Sequence, residues 1–257
     1  MDHDDRGTGT RRLGLPRAIS AVLFDMDGVL TDSAGVHEQA WKSAFDDVLH
    51  QRCGAGFQPF SEQDYELYVD GRPRLDGVRE FLKSRDIELP EGSDEDGPDA
   101  QTVHGIGEKK NELVHTLIER EGVHAFPGSV DYLTAVQQAG LRIGIVSSSA
   151  NAAAVLAATG LDRYAEIRID GNTFEERGLP GKPAPDGFLA GAGALGVDPR
   201  ATAVFEDAVA GVEAGRAGAF GFVVGVDRTG DPDHTDQLCR AGADVVVHDL
   251  ADLRESS

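Results

Sequence analysis

The sequence predicts an α/β protein with a doubly wound parallel sheet and an inserted helical cap domain. From Ala125 onward, short apolar runs typical of buried strands alternate with segments of helical periodicity. Such alternation produces right-handed crossovers and a parallel sheet that is covered on both faces. A further strand pattern, Ala21–Phe24, comes before a block at residues 33–121 with helical patterns only. The sheet is therefore expected to combine both ends of the chain.

This organisation divides the chain into three parts. We expect a disordered tail at residues 1–17, which are polar and lack the apolar segment of a signal peptide. The core domain then comprises residues 18–32 and 122–257, and the cap domain comprises residues 33–121.

The inserted block contains several helical patterns and one irregular segment. An apolar face recurs at helical spacing over residues 34–50, and shorter helices are predicted at 61–69 and 74–84. A longer helix is predicted at 107–121. Residues 86–101 are rich in Glu, Asp, Gly and Pro, which predicts a solvated loop or insertion.

The second part of the core alternates regularly between strands and helices. After the first strand, the predicted strands are residues 142–146, 166–170, 202–205, 220–224 and 244–247. The predicted helices are residues 128–140, 150–159, 186–195 and 208–217. Ligands bind at the carboxyl ends of the strands in open parallel sheets. Asp25, Ser147 and Asp207 are all expected at such ends.

Composition argues against several classes of function. The chain has 257 residues and a formal net charge of -21, an acidity that disfavours nucleic acid and anionic membranes as partners. No apolar run approaches the ~20 residues of a membrane span. Cys53 and Cys239 are far apart and lack metal-ligand spacing, which indicates free thiols in a reducing compartment. We therefore expect a cytoplasmic protein that binds neither nucleic acid nor membranes.

Two carboxylates, Asp25 and Asp27, follow the first predicted strand. Residues i and i+2 of a strand point to the same face, so both side chains can enter one site as the strand ends. Two ionised acids so placed repel each other. This arrangement is tolerable if a divalent cation sits nearby or if one acid holds a proton to donate.

Hydroxyl groups and a lysine supply candidate phosphate contacts. Ser147–Asn151 ends a strand and opens a helix, where free backbone N–H groups suit a phosphate, although a simple helix cap explains the same residues. Lys182 comes before a Pro-x-Pro turn into a helix. Pro and Asp186 suit the start of a helix by themselves, but Lys182 is not required there. A fixed lysine beside an acidic nucleophile would screen an incoming phosphate.

A second acidic strand end, Glu206-Asp207, and a few cap residues complete the candidates. Capping of the next helix explains Asp207, but a second acidic strand end beside Asp25 and Asp27 favours a hard cation such as Mg²⁺. In the cap, His37 and Trp41 share one helix face. The basic residues Arg74 and Lys110 stand out in an acidic block, although such residues are more often solvated surface groups.

Taken together, these residues resemble the haloacid dehalogenase superfamily. Its four motifs run in order here: Asp25-x-Asp27, Ser147, Lys182 and Glu206-Asp207. The resemblance covers about residues 20 to 250. Asp at the second position of the first motif is similar to the phosphatase and mutase branches, and the cap residues are similar to the β-phosphoglucomutase subfamily.

The resemblance implies roles for the core residues. Asp25 would be the nucleophile that carries an aspartyl-phosphate, and Asp27 would exchange protons with the sugar oxygen. Lys182 and Ser147 would stabilise the phosphoryl oxygens. Mg²⁺ would be held by Asp25, the backbone carbonyl of Asp27, and Asp207, with Glu206 supporting the metal site from nearby.

The resemblance also implies substrate contacts. His37 would help to move a proton from a sugar hydroxyl. The substrate-binding residues would be Ser33, Trp41, Gly71, Arg74, Lys110, Ser148, Ser149 and Asn151. Within this group, Arg74 would hold the phosphate that does not react. Ala150 departs from the subfamily, in which many members carry Lys or Arg at that position.

The implied reaction converts β-D-glucose 1-phosphate to D-glucose 6-phosphate through the 1,6-bisphosphate. Mg²⁺ would be the cofactor, a small sugar phosphate the partner, and a monomer the functional form. Two alternatives stay open. One is a Mg²⁺-dependent sugar-phosphate phosphatase, in which water takes the phosphoryl group. The other is a non-catalytic sugar-phosphate-binding protein on the same fold.

Overall fold

A computed structural model describes residues 13–255 of the chain. The chain divides into two compact units. One, here called the core unit, comprises Met1–Asp32 and His124–Ser257. The other, here called the helical unit, comprises Ser33–Val123. Among the described residues, no helix combines the length and apolar character needed to cross a membrane.

Six parallel strands form the sheet of the core unit, in the order β3-β2-β1-β4-β5-β6. They are β1 (Ala21–Phe24), β2 (Arg142–Val146), β3 (Ile167–Ile169), β4 (Thr202–Glu206), β5 (Phe222–Val226) and β6 (Val245–Val247). This sheet confirms the predicted doubly wound class. Strand β1, which precedes the helical unit in the sequence, lies between β2 and β4, which both follow it.

Both faces of the sheet are covered, as the apolar strand patterns require. All four residues of β1 are buried, and successive side chains of a strand point to opposite faces. Leu23 belongs to the same apolar cluster as Phe188, whereas Phe24 packs edge-on against Tyr132 with ring centroids 6.3 Å apart. Phe188 and Tyr132 lie on different helices, so a helix covers each face.

The helices of the core unit are α5 (Pro127–Gln138), α6 (Ala152–Thr159), α7 (Gly171–Arg177), α8 (Asp186–Leu195), α9 (Val209–Ala217), α10 (Pro232–Ala241) and α11 (Asp252–Glu255). Three of them, α7, α10 and α11, are absent from the sequence-based expectation. Leu238 is the buried residue of α10, so that helix lacks the recurring apolar face that reveals the others.

Strand β5 also begins two residues later than expected. The sequence predicts residues 220–224, and the strand runs from Phe222 to Val226. Phe220 is buried, but its amide donates to the carbonyl of Gly215 at 3.3 Å and so belongs to the turn after α9. The apolar side chain of Phe220, directly before the strand, therefore made it resemble a strand residue in the sequence.

The structure differs from the expectation of a disordered tail at residues 13–17. Residues 1–12 of that predicted tail lie outside the described residues. Leu13 and Leu15 are buried, and the Tyr132 hydroxyl donates to the Leu13 carbonyl at 2.7 Å. Two leucines in a polar stretch give too short a pattern to predict this packing.

The helical unit contains four α-helices within its described residues. They are α1 (Ala34–Cys53), the short α2 (Glu62–Asp64), α3 (Arg74–Ser84) and α4 (Val103–Glu121). Helix α2 passes directly into a π-helical turn, Tyr65–Val69. Phe45 organises the apolar centre of the unit, with ring centroids 5.0 Å from Trp41, 5.2 Å from Phe60 and 4.0 Å from Phe81.

The acidic segment 86–101 is irregular, as predicted, and local polar contacts hold its end. Asp96 accepts hydrogen bonds from the Thr102 hydroxyl at 2.6 Å and from the Ser93 amide at 3.3 Å. Thr102 then caps α4 by accepting from the amide of Gly105 at 2.9 Å. Helix α4 consequently begins at Val103, four residues before the predicted start, because the cap residue outweighs the glycines in its first turns.

Candidate active site

The acidic and hydroxyl residues of the four motifs follow neighbouring strands of the core unit. Phe24 of β1 stands opposite Ile145 of β2 and Phe205 of β4. Asp25 therefore leaves β1 beside the end of β4, and its amide donates to the Phe205 carbonyl at 2.9 Å. Ser147 follows β2 directly, and Glu206 is the last residue of β4. The register of the sheet thus brings these side chains to one edge.

Lys182 links two of these carboxylates in the interior of the core unit. Its Nζ atom lies 2.5 Å from Oδ1 of Asp25 and also pairs with Oε1 of Glu206. Burial alone would lower the pKa of Lys182, but the charges of Asp25 and Glu206 outweigh burial and raise it. The lysine is therefore a permanent cation that neutralises part of the charge of the two acids.

Glu206 has both carboxylate oxygens engaged. Oε1 pairs with Lys182, and Oε2 accepts from the Ala208 amide at 2.9 Å. The side chain is wholly buried, and this burial raises its pKa to about 7 against the opposing effect of Lys182. Gly211 leaves room for it, since a Cβ there would overlap the carboxylate. The structure thus places Glu206 as a partner of Lys182.

Asp27 and Ser147 face each other across the strand ends. The Ser147 hydroxyl lies 3.4 Å from Oδ2 of Asp27 and accepts from the Ser149 amide at 3.1 Å. Asp27 is half-buried, whereas Asp25 is buried. The two acids of the first motif therefore occupy different surroundings, with Asp25 beside a cation and Asp27 beside a hydroxyl.

A tight turn carries the first motif and receives Asp207. Gly28 has a φ of +76°, which favours glycine, and its amide donates to the Thr31 carbonyl at 2.8 Å. A Cβ at position 28 would overlap the Asp207 carboxylate. The missing side chain of Gly28 therefore lets Asp207 lie directly against the loop that holds Asp25 and Asp27.

These acids fit a magnesium ion that is bound by few protein ligands. Within residues 13–255, no group of three or more His, Cys, Asp and Glu side chains is arranged to enclose a metal. Mg²⁺ commonly uses one or two carboxylates and completes its octahedron with waters and substrate phosphates. The hard oxygen donors of Asp25 and Asp207, and the cradle at Gly28, match that requirement.

The predicted phosphate loop lies at the start of α6. Ser148, Ser149 and Asn151 are all half-buried, and the Asn151 amide donates to the Ser149 hydroxyl at 3.2 Å. The helix begins at Ala152, two residues after its predicted start, so the loop is longer than expected. Gly171 packs closely on it, and a Cβ there would overlap the Ala150 amide.

In the helical unit, three of the predicted site residues cluster. Nζ of Lys110 lies 2.8 Å from Nδ1 of His37 and 4.9 Å from the centre of the Trp41 ring. Because an ammonium group can only donate, Nδ1 of His37 accepts and the ring proton sits on Nε2. Burial lowers the pKa of His37 well below its ordinary value, and the charge of Lys110 lowers it further.

The remaining predicted residues of the helical unit are placed as follows. Ser33 is buried and its carbonyl accepts from the His37 amide at 3.1 Å. Gly71 has a φ of +68° in the turn before α3. Arg74 is the first residue of α3, and its guanidinium lies 3.4 Å from a carboxylate oxygen of Glu108.

Two residues near the acidic strand ends were missed from the sequence. Arg228 donates to the carbonyls of Gly28 and Val29, and His234 contacts the carbonyl of Asp207. Their partners are backbone atoms distant along the chain, so no local motif marks them. The position of Arg228, shortly after the apolar pattern of β5, is the sequence feature that could have indicated a residue near the site.

Comparisons with known proteins show the family of the chain. A family model described as haloacid dehalogenase-like hydrolase matches residues 19–218. The chain therefore belongs to the haloacid dehalogenase-like hydrolase family, as the order of its four motifs predicted.

Individual relatives narrow the likeness. A Mycobacterium tuberculosis protein named β-phosphoglucomutase is 54% identical over 248 residues, which cover 95% of both chains. Hexitol phosphatase A of Escherichia coli is 29% identical and covers 90% of this chain and 91% of its own. The solved β-phosphoglucomutase of Clostridium difficile has a TM-score of 0.71 and 26% identity, covering 91% of this chain and 93% of that one.

Proposed function

We propose that the chain is a Mg²⁺-dependent β-phosphoglucomutase, which converts β-D-glucose 1-phosphate to D-glucose 6-phosphate. The observation that carries the chemistry is the buried Lys182 between Asp25 and Glu206, because it holds an acidic nucleophile beside a fixed cation. The long match to a protein named β-phosphoglucomutase supports the choice of substrate.

Asp25 is the proposed nucleophile and phosphoryl carrier. Before the substrate binds, the carboxylate of Asp25 bears the phosphoryl group. This group passes to the 6-hydroxyl of β-glucose 1-phosphate and gives the 1,6-bisphosphate. The bisphosphate then presents its 1-phosphate, and an oxygen of Asp25 attacks that phosphorus. The bond to the sugar oxygen breaks, and glucose 6-phosphate leaves. Splitting one transfer into two steps is the advantage of covalent catalysis.

Asp27 is the proposed proton carrier. It takes the proton of the attacking 6-hydroxyl in the first transfer and gives a proton to the departing 1-oxygen in the second. Asp27 is half-buried, and its Oδ2 atom lies 3.4 Å from the Ser147 hydroxyl. Asp27 therefore gains one proton and gives one proton away in each catalytic cycle.

Lys182 and Ser147 are proposed to stabilise the charge on the transferring phosphoryl oxygens. A Mg²⁺ ion bound by Asp25, the carbonyl of Asp27 and Asp207 would supply further positive charge to those oxygens. Glu206 contributes through Lys182, whose position and charge it fixes.

The remaining predicted residues are proposed to bind the sugar and its second phosphate. Arg74 supplies a guanidinium fork for that phosphate, and His37, protonated on Nε2, faces a sugar hydroxyl. The other substrate contacts are Ser33, Trp41, Gly71, Lys110, Ser148, Ser149 and Asn151. We further propose a cytoplasmic monomer whose partner is a small sugar phosphate rather than nucleic acid.

A sugar-phosphate phosphatase is the second candidate function. Ala150 favours it, since the phosphate loop lacks a basic side chain at that position. The similarity to hexitol phosphatase A points the same way. In that case water, rather than a sugar hydroxyl, accepts the phosphoryl group from Asp25.

One assay separates the two candidates. The protein is supplied with β-glucose 1-phosphate, Mg²⁺ and a trace of glucose 1,6-bisphosphate, and glucose 6-phosphate and free phosphate are measured separately. A mutase forms glucose 6-phosphate with little free phosphate, whereas release of phosphate without isomerisation refutes the mutase. If neither product forms, the protein binds sugar phosphates without catalysis or acts on another substrate.

A further inference from the structure

The segment Asp227–Thr235, which joins β5 to the first residues of α10, contacts both acidic loops of the core unit. Arg228 reaches the turn after Asp27, and His234 reaches Asp207. This segment, here called the β5 brace, supplies none of the four motifs.

Arg228 holds the turn that follows the first motif. Its guanidinium donates to the Gly28 carbonyl at 3.2 Å and to the Val29 carbonyl at 3.0 Å. It also donates to the Ser129 hydroxyl at 2.9 Å, pairs with Asp249, and lies 3.9 Å from the centre of the Phe126 ring. Both turn carbonyls lie in buried residues, where unsatisfied backbone groups are costly. Arg228 therefore fixes the backbone immediately after Asp27.

His234 holds the second acidic loop. Its Nε2 atom lies 3.0 Å from the backbone carbonyl of Asp207. A carbonyl can only accept, so Nε2 carries the proton and donates it. The side chain of Asp207 thus receives its direction from a backbone that His234 restrains.

Hydrogen bonds to Asp227 connect the two ends of the brace. This wholly buried carboxylate accepts from the Thr229 amide at 3.0 Å, the Gly230 amide at 3.1 Å and the Thr235 hydroxyl at 2.5 Å. Its backbone carbonyl also contacts Nδ1 of His248 at 2.9 Å. A closed loop of this kind can fix Arg228 and His234 relative to each other.

We propose that Arg228 and His234 are positioning residues, which hold the Asp25–Asp27 loop and Asp207 in the arrangement that binds Mg²⁺. The proposal rests on the proposed function for the identity of the metal. The hydrogen bonds of Arg228 and His234 are present in the protein without the metal. Partners behind metal ligands commonly change metal affinity or activity by about 10–100-fold when they are removed.

The first test measures amide hydrogen exchange in the metal-free protein. Arg228→Met should speed exchange in a peptide covering residues 26–31 by about tenfold, while peptides of β5 stay unchanged. His234→Ala should likewise speed hydrogen exchange of the Ala208 amide. Arg240→Met is the matched control, because Arg240 lies on α10 and is 77% exposed. Exchange that is unchanged, or that rises equally throughout the core unit, overturns the proposal.

The second test measures Mg²⁺ affinity by calorimetry. His234→Ala should weaken binding by about tenfold, and His234→Gln should restore most of it, since the glutamine amide can donate to the Asp207 carbonyl. Unchanged affinity in His234→Ala, or equal loss in both variants at equal melting temperature, contradicts the positioning role. A wild-type protein that binds Mg²⁺ but fails to isomerise β-glucose 1-phosphate refutes the proposed function and leaves the brace intact.

Discussion

The Nζ atom of Lys182 lies 2.5 Å from Oδ1 of Asp25, and the two side chains are only 2% and 9% exposed. Glu206 completes the group from the end of β4, so one cation serves two carboxylates. Burying a charge is costly unless the charge has a partner. The three side chains therefore depend on one another for their stability. Removal of the lysine should therefore affect stability as well as chemistry.

We expect Lys182→Met to lower the free energy of unfolding by about 3–5 kcal/mol, because it leaves two buried carboxylates without their cation. The double variant Lys182→Met/Glu206→Gln removes one of those charges and should recover about half of the loss. Both variants should lack mutase activity, because both lack the Lys182 cation. Urea denaturation together with the product assay checks this, and a double variant no more stable than the single one would show that the acids do not repel.

Gly28→Ala tests the close approach of Asp207. Gly160→Ala is the matched control, since Gly160 also has a positive φ, +68°, but has open space around its Cβ position. We expect the control to cost about 1–2 kcal/mol of stability and to keep its activity. Gly28→Ala should in addition lose Mg²⁺ affinity, because the new methyl group displaces the Asp207 carboxylate. Equal Mg²⁺ affinity in both variants, measured by calorimetry, would contradict this.

His37 should remain neutral throughout the physiological pH range. Its lowered pKa means that the unfolded chain binds a proton at this residue before the folded protein does. The resulting contribution to stability is present above about pH 6.5 and is lost as the pH falls through the folded pKa. NMR titration of the ring checks this. Lys110→Met should raise the pKa of His37, and a wild-type His37 that titrates at the ordinary histidine pKa of about 6.5 would contradict the account.

Arg74→Ala tests whether Arg74 holds the phosphate that is not being transferred. We expect isomerisation of β-glucose 1-phosphate to fall by about 10–100-fold, the effect of losing charge-assisted hydrogen bonds. Hydrolysis of p-nitrophenyl phosphate, which has no second phosphate, should change little. Arg79→Ala, on the same helix and paired with Asp76 and Glu91, is the control. Equal losses on both substrates would remove the role of Arg74.

The strongest parts of the sequence-based prediction are those with a local cause. Strand β2 and helix α8 occur at their predicted bounds, 142–146 and 186–195, because an apolar run defines the first and Pro and Asp before an apolar face define the second. The four motifs were found because each stands at a strand end or in a turn. The local sequence around each motif, an apolar strand or a turn, is therefore enough to place it.

Contacts between distant segments set the limit of the prediction. Arg228 bonds to carbonyls two hundred positions earlier in the chain, and nothing in its own surroundings marks that pairing. Support of the metal site by Glu206 stays a prediction, and the structure adds that its oxygens engage Lys182 and the Ala208 amide. Local patterns indicated an acidic residue at that strand end, but only the fold shows which atoms it meets.

The fate of the phosphoryl group on Asp25 tests the central claim most directly. The protein is labelled with radioactive phosphate from glucose 1,6-bisphosphate, separated from it, and then mixed with unlabelled β-glucose 1-phosphate in the presence of Mg²⁺. We predict that the label moves to hexose phosphates and that Asp25→Asn takes up none, whereas the exposed control Asp131→Asn labels normally. Label that appears in free phosphate despite the sugar, or that attaches equally to Asp25→Asn, would contradict the account.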